Sequence, residues 1–267
     1  MASTVCLTYD FDAVSAWTAN GMPGFASWGV YGAAPRLLDL HDEHDVPSTW
    51  FVPGHTIESF PEICGEVADA GHEIAHHGWS HRSLPAFESE AAERRDIARG
   101  IDAIYDLTGE KPDGFRTPDG GFSRRTKRLL GEFGFAWDSS DTAHDFRPYM
   151  LRAGERARMN EPYERGDPTD IVEVPYVWHR DDWMQLFPVV SGPEWVAYSS
   201  ESAVFDRWTE EFRWMHENVE NGVYTLLLHP QCAGRAPFLT RLEAFVEEVA
   251  SMEETEFATV GSVAATF

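Results

Sequence analysis

A chain of 267 residues, 43% hydrophobic and 13% aromatic with ten Trp, is long enough to bury a large core, and barrel folds of this length are often one domain, so residues 1–267 are read as a single domain. Its formal net charge of −24 repels nucleic-acid phosphates and anionic lipid headgroups, which argues against both as partners. The basic side is skewed as well: lysine stands only at Lys111 and Lys127, and an acid-rich, lysine-poor chain suits a salt-rich cytoplasm that screens self-repulsion.

In chain order, Met1 leads directly into strand-like residues, without the charged and apolar regions of a secretory leader. Thr4 to Tyr9 reads as a buried strand ending at Asp10. Ala13 to Ala34, rich in Gly, Ala, Pro and aromatics, reads as a long irregular stretch of the kind that often carries function. Pro35 to His44 has helical apolar spacing, Pro47 to Val52 is a second strand, and Ile57 to Ala70 is a helix stopped by Gly71. Glu73 to Ala75 is a short strand, and Glu88 to Leu107 a long amphipathic helix ended by Gly109. Gly114 to Arg116 is strand-like, Arg124 to Phe133 a helix capped by Ser123, and Ala136 to Asp138 another strand. The Pro-, Gly-, Arg- and acid-rich residues 141–170 read as loop. Ile171 to Val174 is a strand, Glu201 to Asn221 a helix, and Val223 to Leu228 an apolar strand ending at His229-Pro230. Phe238 to Ser251 is a helix and Phe257 to Val260 closes the pattern. This β–α alternation predicts an α/β fold with a largely parallel sheet closed into a barrel.

The ionisable residues cluster just after the predicted strand ends: Asp10 and Asp12, His77, Arg116, Asp138 and His229. In parallel α/β folds, active sites assemble at that end of the sheet. In Asp10-Phe11-Asp12, one carboxylate can ligate a metal while the other stays free as a base. His77 and His81 are spaced i, i+4; if a helical turn begins at Trp79, both imidazoles project to one side. Two imidazoles and a carboxylate make a facial set that leaves positions open for water and substrate. His72-Glu73-Ile74-Ala75-His76 also matches the zinc-protease pattern H-E-x-x-H, but the flanking Gly71 and Gly78 favour a short strand, which sends His72 and Glu73 to opposite faces. Arg116 in Gly114-Phe115-Arg116-Thr117-Pro118 is able to hold a catalytic carboxylate in a fork. His229, fixed by Pro230 after a buried strand, is a candidate general acid.

Taken in order, these segments resemble the polysaccharide deacetylase superfamily: Asp10/Asp12, His77 to His81, Arg116-Thr117-Pro118, Trp137-Asp138-Ser139-Ser140 and Leu226 to His229. The resemblance spans nearly the whole chain. It implies a distorted (β/α) barrel of about seven mostly parallel strands. It implies a divalent metal of the zinc type on Asp12, His77 and His81, with Asp10 as general base, Arg116 orienting that base and His229 as general acid. It also implies that Asp138 supports the histidine and that Leu226 walls the pocket; Pro118 and Trp183 join the expected substrate contacts. Phe11 separates the two Asp residues where typical members have them adjacent. That spacing, together with Asp181-Asp182-Trp183, is more similar to the intracellular branch of cyclic imide hydrolases, allantoinase-like enzymes and an atypical peptidoglycan-deacetylase-like group. His81 argues against the metal-free allantoinase-like subgroup, and the branch implies an assembly of identical copies.

The reading is therefore metal-dependent hydrolysis of a non-peptide carbon–nitrogen bond, in a small cyclic imide or related amide. The alternatives are de-N-acetylation of an N-acetylated glycan and an inactive barrel serving as a binding scaffold. The three cysteines Cys6, Cys64 and Cys232 form no C-x-x-C pair, and no run approaches membrane-spanning length, so a reducing cytoplasm is expected.

Overall fold

The computed structural model describes residues 2–17, 23–186, 190–191, 194–195 and 199–267. Its strands are β1 (Ser3–Asp10), β2 (Ser48–Val52), β3 (Glu73–His76), β4 (Gly114–Phe115), β5 (Trp137–Asp138), β6 (Tyr149–Ala153), β7 (Asp167–Glu173), β8 (Val190–Ser191), β9 (Glu194–Trp195), β10 (Val223–Leu228) and β11 (Thr255–Phe257). Nine of them form one sheet in the order β10-β1-β2-β3-β4-β5-β7-β6, with β11 also on β1. Every pairing in it is parallel except β6 with β7. The sheet is a distorted half-barrel; past β7 the chain returns to the free side of β10, where Asp181 makes an isolated parallel bridge with Leu227.

Strand alternation sorts the residues of β1 into two roles. Val5, Leu7 and Tyr9 join the larger apolar core, packed with residues of the helices Ala34–His44, Glu201–Asn218 and Ala236–Ser251. Cys6, Thr8 and Asp10 take the other face. Cys6 lies in a small plug with Phe51, Trp137 and Val263 of the C-terminal helix Val260–Ala264, while Asp10 opens onto a cavity. Strand β10 repeats the pattern: Tyr224, Leu226 and Leu228 belong to the large core, and Leu227 faces the cavity.

Three expectations need correction. Residues 141–170 contain β6 and the start of β7, an antiparallel hairpin at the sheet edge. The strand signal there is masked because only Leu151 of β6 is buried and the flanks carry the charges that edge strands use against further pairing. Ala13 to Ala34 is largely helical where described (Val14–Trp17, Pro23–Trp28 and a π-turn at Gly29–Ala33), and residues 18–22 lie outside the described part. Tertiary packing overrides the weak propensity of its glycines: a Cβ on Gly29 would meet Gln231 Oε1 at 3.3 Å, so this turn lies directly on the Pro230–Ala233 helix. The helix expected over Ile57 to Ala70 is two helices, Gly54–Ser59 and Pro61–Asp69, because Pro61 forces Phe60 out of helical geometry.

Candidate active site

The C-terminal ends of β1, β3, β4 and β10 bring the ionisable residues around a cavity of about 530 Å³. Asp10, Asp12, His77, His81, Asp181 and His229 line it, with Tyr176, Trp178, Trp183, Met184 and Leu227 as apolar wall. Asp12 Oδ1 is buried and has no well-formed hydrogen bond, while Nε2 of His81 and of His77 lie 3.2 and 3.5 Å from it. The His77 Nδ1 faces the Arg116 carbonyl at 3.0 Å; a carbonyl only accepts, so Nδ1 carries the proton and the Nε2 lone pair points into the cavity. An orphaned carboxylate oxygen facing two imidazole nitrogens is a donor set that fits a divalent cation of the zinc type.

The local chain supports this convergence, though not by the helical turn expected after Trp79. Residues 77–83 are irregular, and His81 itself sits at φ 52°. Asp96, from the helix Glu90–Thr108, straps the turn by accepting from the N–H groups of Trp79 (2.9 Å) and Ser80 (3.1 Å) and from Ser80 Oγ (2.6 Å). The H-E-x-x-H match is a strand followed by a turn, as its flanking glycines suggest. His72 bonds Ser48, Glu73 bonds Thr49, and buried His76 stacks on Phe115 and bonds the Ile97 carbonyl, so no shared metal face exists.

Beside the triad, Arg116 Nη1 donates to Asp10 Oδ1 at 2.8 Å and to Thr8 Oγ1 at 2.9 Å. Its Nε and Nη2 donate to the carbonyl and hydroxyl of Ser139, both at 2.8 Å, and its plane lies 3.8 Å from the Phe51 ring centre. A guanidinium with a donor bond on each nitrogen and a ring below has one orientation, so Asp10 is held in place. His229 Nδ1 bonds Asp182 Oδ1 at 2.8 Å, its backbone N–H donates to Asp182 Oδ2 at 2.9 Å, and Nε2 lies 3.9 Å from Asp12 Oδ2.

The charges respond to this packing. Burial alone would raise the Asp12 carboxyl, but His81, His229 and His77 outweigh it and hold it down to about 2. Burial pushes His77 below the ordinary histidine range, whereas burial of the more exposed His81 is outweighed by the neighbouring Asp12 charge, which raises it. His229 keeps its proton up to about 10: burial opposes this, but Asp182, Asp181 and Asp12 surround it with negative charge. Burial lifts Asp181 to about 7 and raises Asp182.

Three expected residues lie elsewhere. Asp138 does not touch His229; it is fully buried at the end of β5, where it accepts from Ser140 Oγ at 2.9 Å, and the acid beside His229 is Asp182. Leu226 faces the helix-side core, because alternation gives the cavity side to Leu227. Pro118 is buried behind the wall, close enough to Gly78 that a Cβ there would meet its Cγ at 3.3 Å. Trp183 does line the cavity, its ring centre 6.2 Å from that of His229. The cavity residues sequence reasoning passed over are Tyr176, Trp178 and Asp119; Asp181-Asp182-Trp183 was noticed as a family-like segment, but not as the partner of His229.

Comparison with known proteins identifies the family and the fold. The family profile described as polysaccharide deacetylase matches residues 3–137. The peptidoglycan deacetylase of Helicobacter pylori is 31% identical, the match covering 100% of this chain and 97% of that protein. The crystal structure of a putative polysaccharide deacetylase from Mycobacterium smegmatis superposes with a TM-score of 0.84 at 33% identity, over 99% of this chain and 90% of that one. The PuuE allantoinase structure shares the fold, with a TM-score of 0.80 at 21% identity over 98% of this chain and 89% of that one. By its matched profile and its full-length relatives, the chain belongs to the polysaccharide deacetylase family, hydrolases of non-peptide carbon–nitrogen bonds.

Proposed function

We propose that this protein removes the acetyl group from an N-acetylated sugar by metal-assisted amide hydrolysis. The observation that carries the chemistry is an oriented carboxylate, Asp10 on Arg116, 3.6 Å from His77, and a proton-bearing imidazole, His229 on Asp182, 3.9 Å from Asp12, both against the cluster of Asp12, His77 and His81. A divalent cation held by those three residues would polarise the amide carbonyl and acidify a water. Asp10, its other oxygen committed to Arg116, accepts the proton of the attacking water through Oδ2. His229, charged at neutral pH and steadied through Nδ1, donates from Nε2 to the departing nitrogen. Tyr176, Trp178 and Trp183 offer ring faces on which a sugar stacks. The full-length peptidoglycan deacetylase relative supports the glycan.

A second reading, ring opening of a small cyclic imide or related amide, is favoured by the compact aromatic wall, which suits a planar ring, and by three buried unpaired cysteines that fit a reducing cytoplasm. Purified protein loaded with zinc, incubated with N-acetylglucosamine oligomers, succinimide, hydantoin, dihydrouracil and allantoin, separates the two. Acetate release from the oligomers alone supports the first reading. Ring opening without acetate release replaces it with the second.

A further inference from the structure

Two carboxyl groups meet outside the cavity, at the ends of neighbouring strands. Asp138 of β5 pairs in register with Glu173 of β7, and neither is exposed. Glu173 Oε1 accepts from the backbone N–H groups of Ser140 (2.9 Å) and Asp141 (3.0 Å). Asp138 Oδ1 accepts from Ser140 Oγ, and Ser140 Oγ accepts from the Thr117 N–H, both at 2.9 Å. The remaining oxygens, Asp138 Oδ2 and Glu173 Oε2, are buried without a partner, on residues that sit side by side in register, so a proton on one of them is what would let them bond each other. Two carboxylates have no hydrogen to place in such a bond, so one of them is the acid.

The surroundings supply that proton's reason. The charged and titratable groups facing the pair are Asp141 on the following turn, Lys127 on the helix Thr126–Phe133, Tyr149 on β6, and Tyr176 beyond β7. Among the described residues, Lys127, whose charge partly offsets that of Asp138, is already paired with Asp141 and Glu155, and Arg116 is paired with Asp10, so neither is free to balance two negative charges here. The turn that the pair holds, Ser139 to Asp141, is the one whose Ser139 supplies two of the acceptors of Arg116.

We propose that Glu173 is a positioning residue that carries a proton on Oε2 and donates it to Asp138, and that this acid–carboxylate pair fixes the Ser139–Asp141 turn which clamps Arg116 against Asp10. The positioning half rests on the reading of Asp10 as the base; the proton sharing does not. Burial and the Asp138 charge raise Glu173 well above the carboxylate range, and burial lifts Asp138 to about 6. For acids raised in the folded state, the stabilisation is complete below the unfolded pKa of about 4 and is lost as pH rises through the folded values. Stability should therefore fall with rising pH, and the Arg116 clamp should loosen with it.

Glu173→Gln replaces the shared proton by a permanent N–H donor and keeps the acceptor for Ser140 and Asp141. Its melting temperature should fall less steeply than that of the native protein from about pH 6 to about pH 10, since only the part due to His229 remains, and an infrared band of a protonated carboxylic acid should vanish. Parallel melting curves, or an unchanged infrared spectrum, overturn the proton sharing. Glu173→Ala should lower kcat by about tenfold to a hundredfold with KM nearly unchanged, and Glu173→Gln should restore it and leave an alkaline limb of the kcat profile that reports His229 alone. A folded Glu173→Ala protein with native kcat overturns the positioning role. If the native protein turns over none of the substrates offered, the crystal structure of Glu173→Ala decides instead: the Ser139–Arg116 bonds should be lost, and their survival refutes the clamp.

Discussion

The division of labour proposed for Asp10 and Asp12 rests on a single neighbour. Both are buried and two residues apart, and His77 Nε2 is nearly equidistant, at 3.6 Å from Asp10 Oδ2 and 3.5 Å from Asp12 Oδ1. Arg116 breaks the tie by occupying Asp10, which leaves Asp12 Oδ1 as the orphaned oxygen. Asp12→Asn should therefore lose bound zinc, since an amide is a poorer ligand than a carboxylate. Asp10→Asn should keep the zinc and lose about 10²–10⁴-fold in kcat, the range of general-base catalysis. Metal content and steady-state kinetics on both variants check this; a zinc-free Asp10→Asn beside a loaded Asp12→Asn reverses the roles. Asp182→Asn addresses the acid. Because Asp182 is foremost in holding the His229 proton up to about 10, its neutralisation should move the imidazole titration, followed by NMR, to lower pH. His229 contributes stability that is complete below about pH 6.5 and lost through its folded pKa, so the variant should also lose its stability advantage at lower pH. An unmoved titration would remove Asp182 from this role.

At the scale of elements, the triad depends on a turn that no secondary-structure rule describes. Gly78 lies at φ 70°, and an added Cβ would stand 3.2 Å from Asp96 Oδ2 and 3.3 Å from Pro118 Cγ. Gly78→Ala should therefore destabilise the protein by about 1–3 kcal/mol, read from urea melts at constant slope. Asp96→Ala removes the strap on Trp79 and Ser80 and should weaken zinc binding by about tenfold to a hundredfold, as loss of an outer support does, with Asp12, His77 and His81 all still present. Zinc affinity unchanged in Asp96→Ala would show that the turn holds itself. The i, i+4 spacing of His77 and His81 singled out two imidazoles that do converge, but they meet across this irregular turn and not on one helical face.

At the scale of the whole molecule, the net charge of −24 gives the fold a self-repulsion that dissolved salt screens. Exposed ion pairs such as Arg128 with Glu90 and Arg156 with Glu164 each offset little of it. The melting temperature should rise as potassium chloride is increased toward molar concentration, and a flat or falling midpoint would show that the acidic surface is not tuned to salt. The sequence by itself determined the β–α alternation, the parallel sheet and most of the cavity's ionisable residues, because buried parallel strands are short apolar runs and the ionisable groups fall where those runs stop. Tertiary structure alone decided which acid meets His229: Asp138 and Asp182 both follow the sheet, but only the bridge from Asp181 to Leu227 brings the second beside β10. It likewise decided that Leu227 and not Leu226 faces the cavity, since three successive leucines give no alternation to read, and the side each takes is fixed by the helices packed behind the sheet.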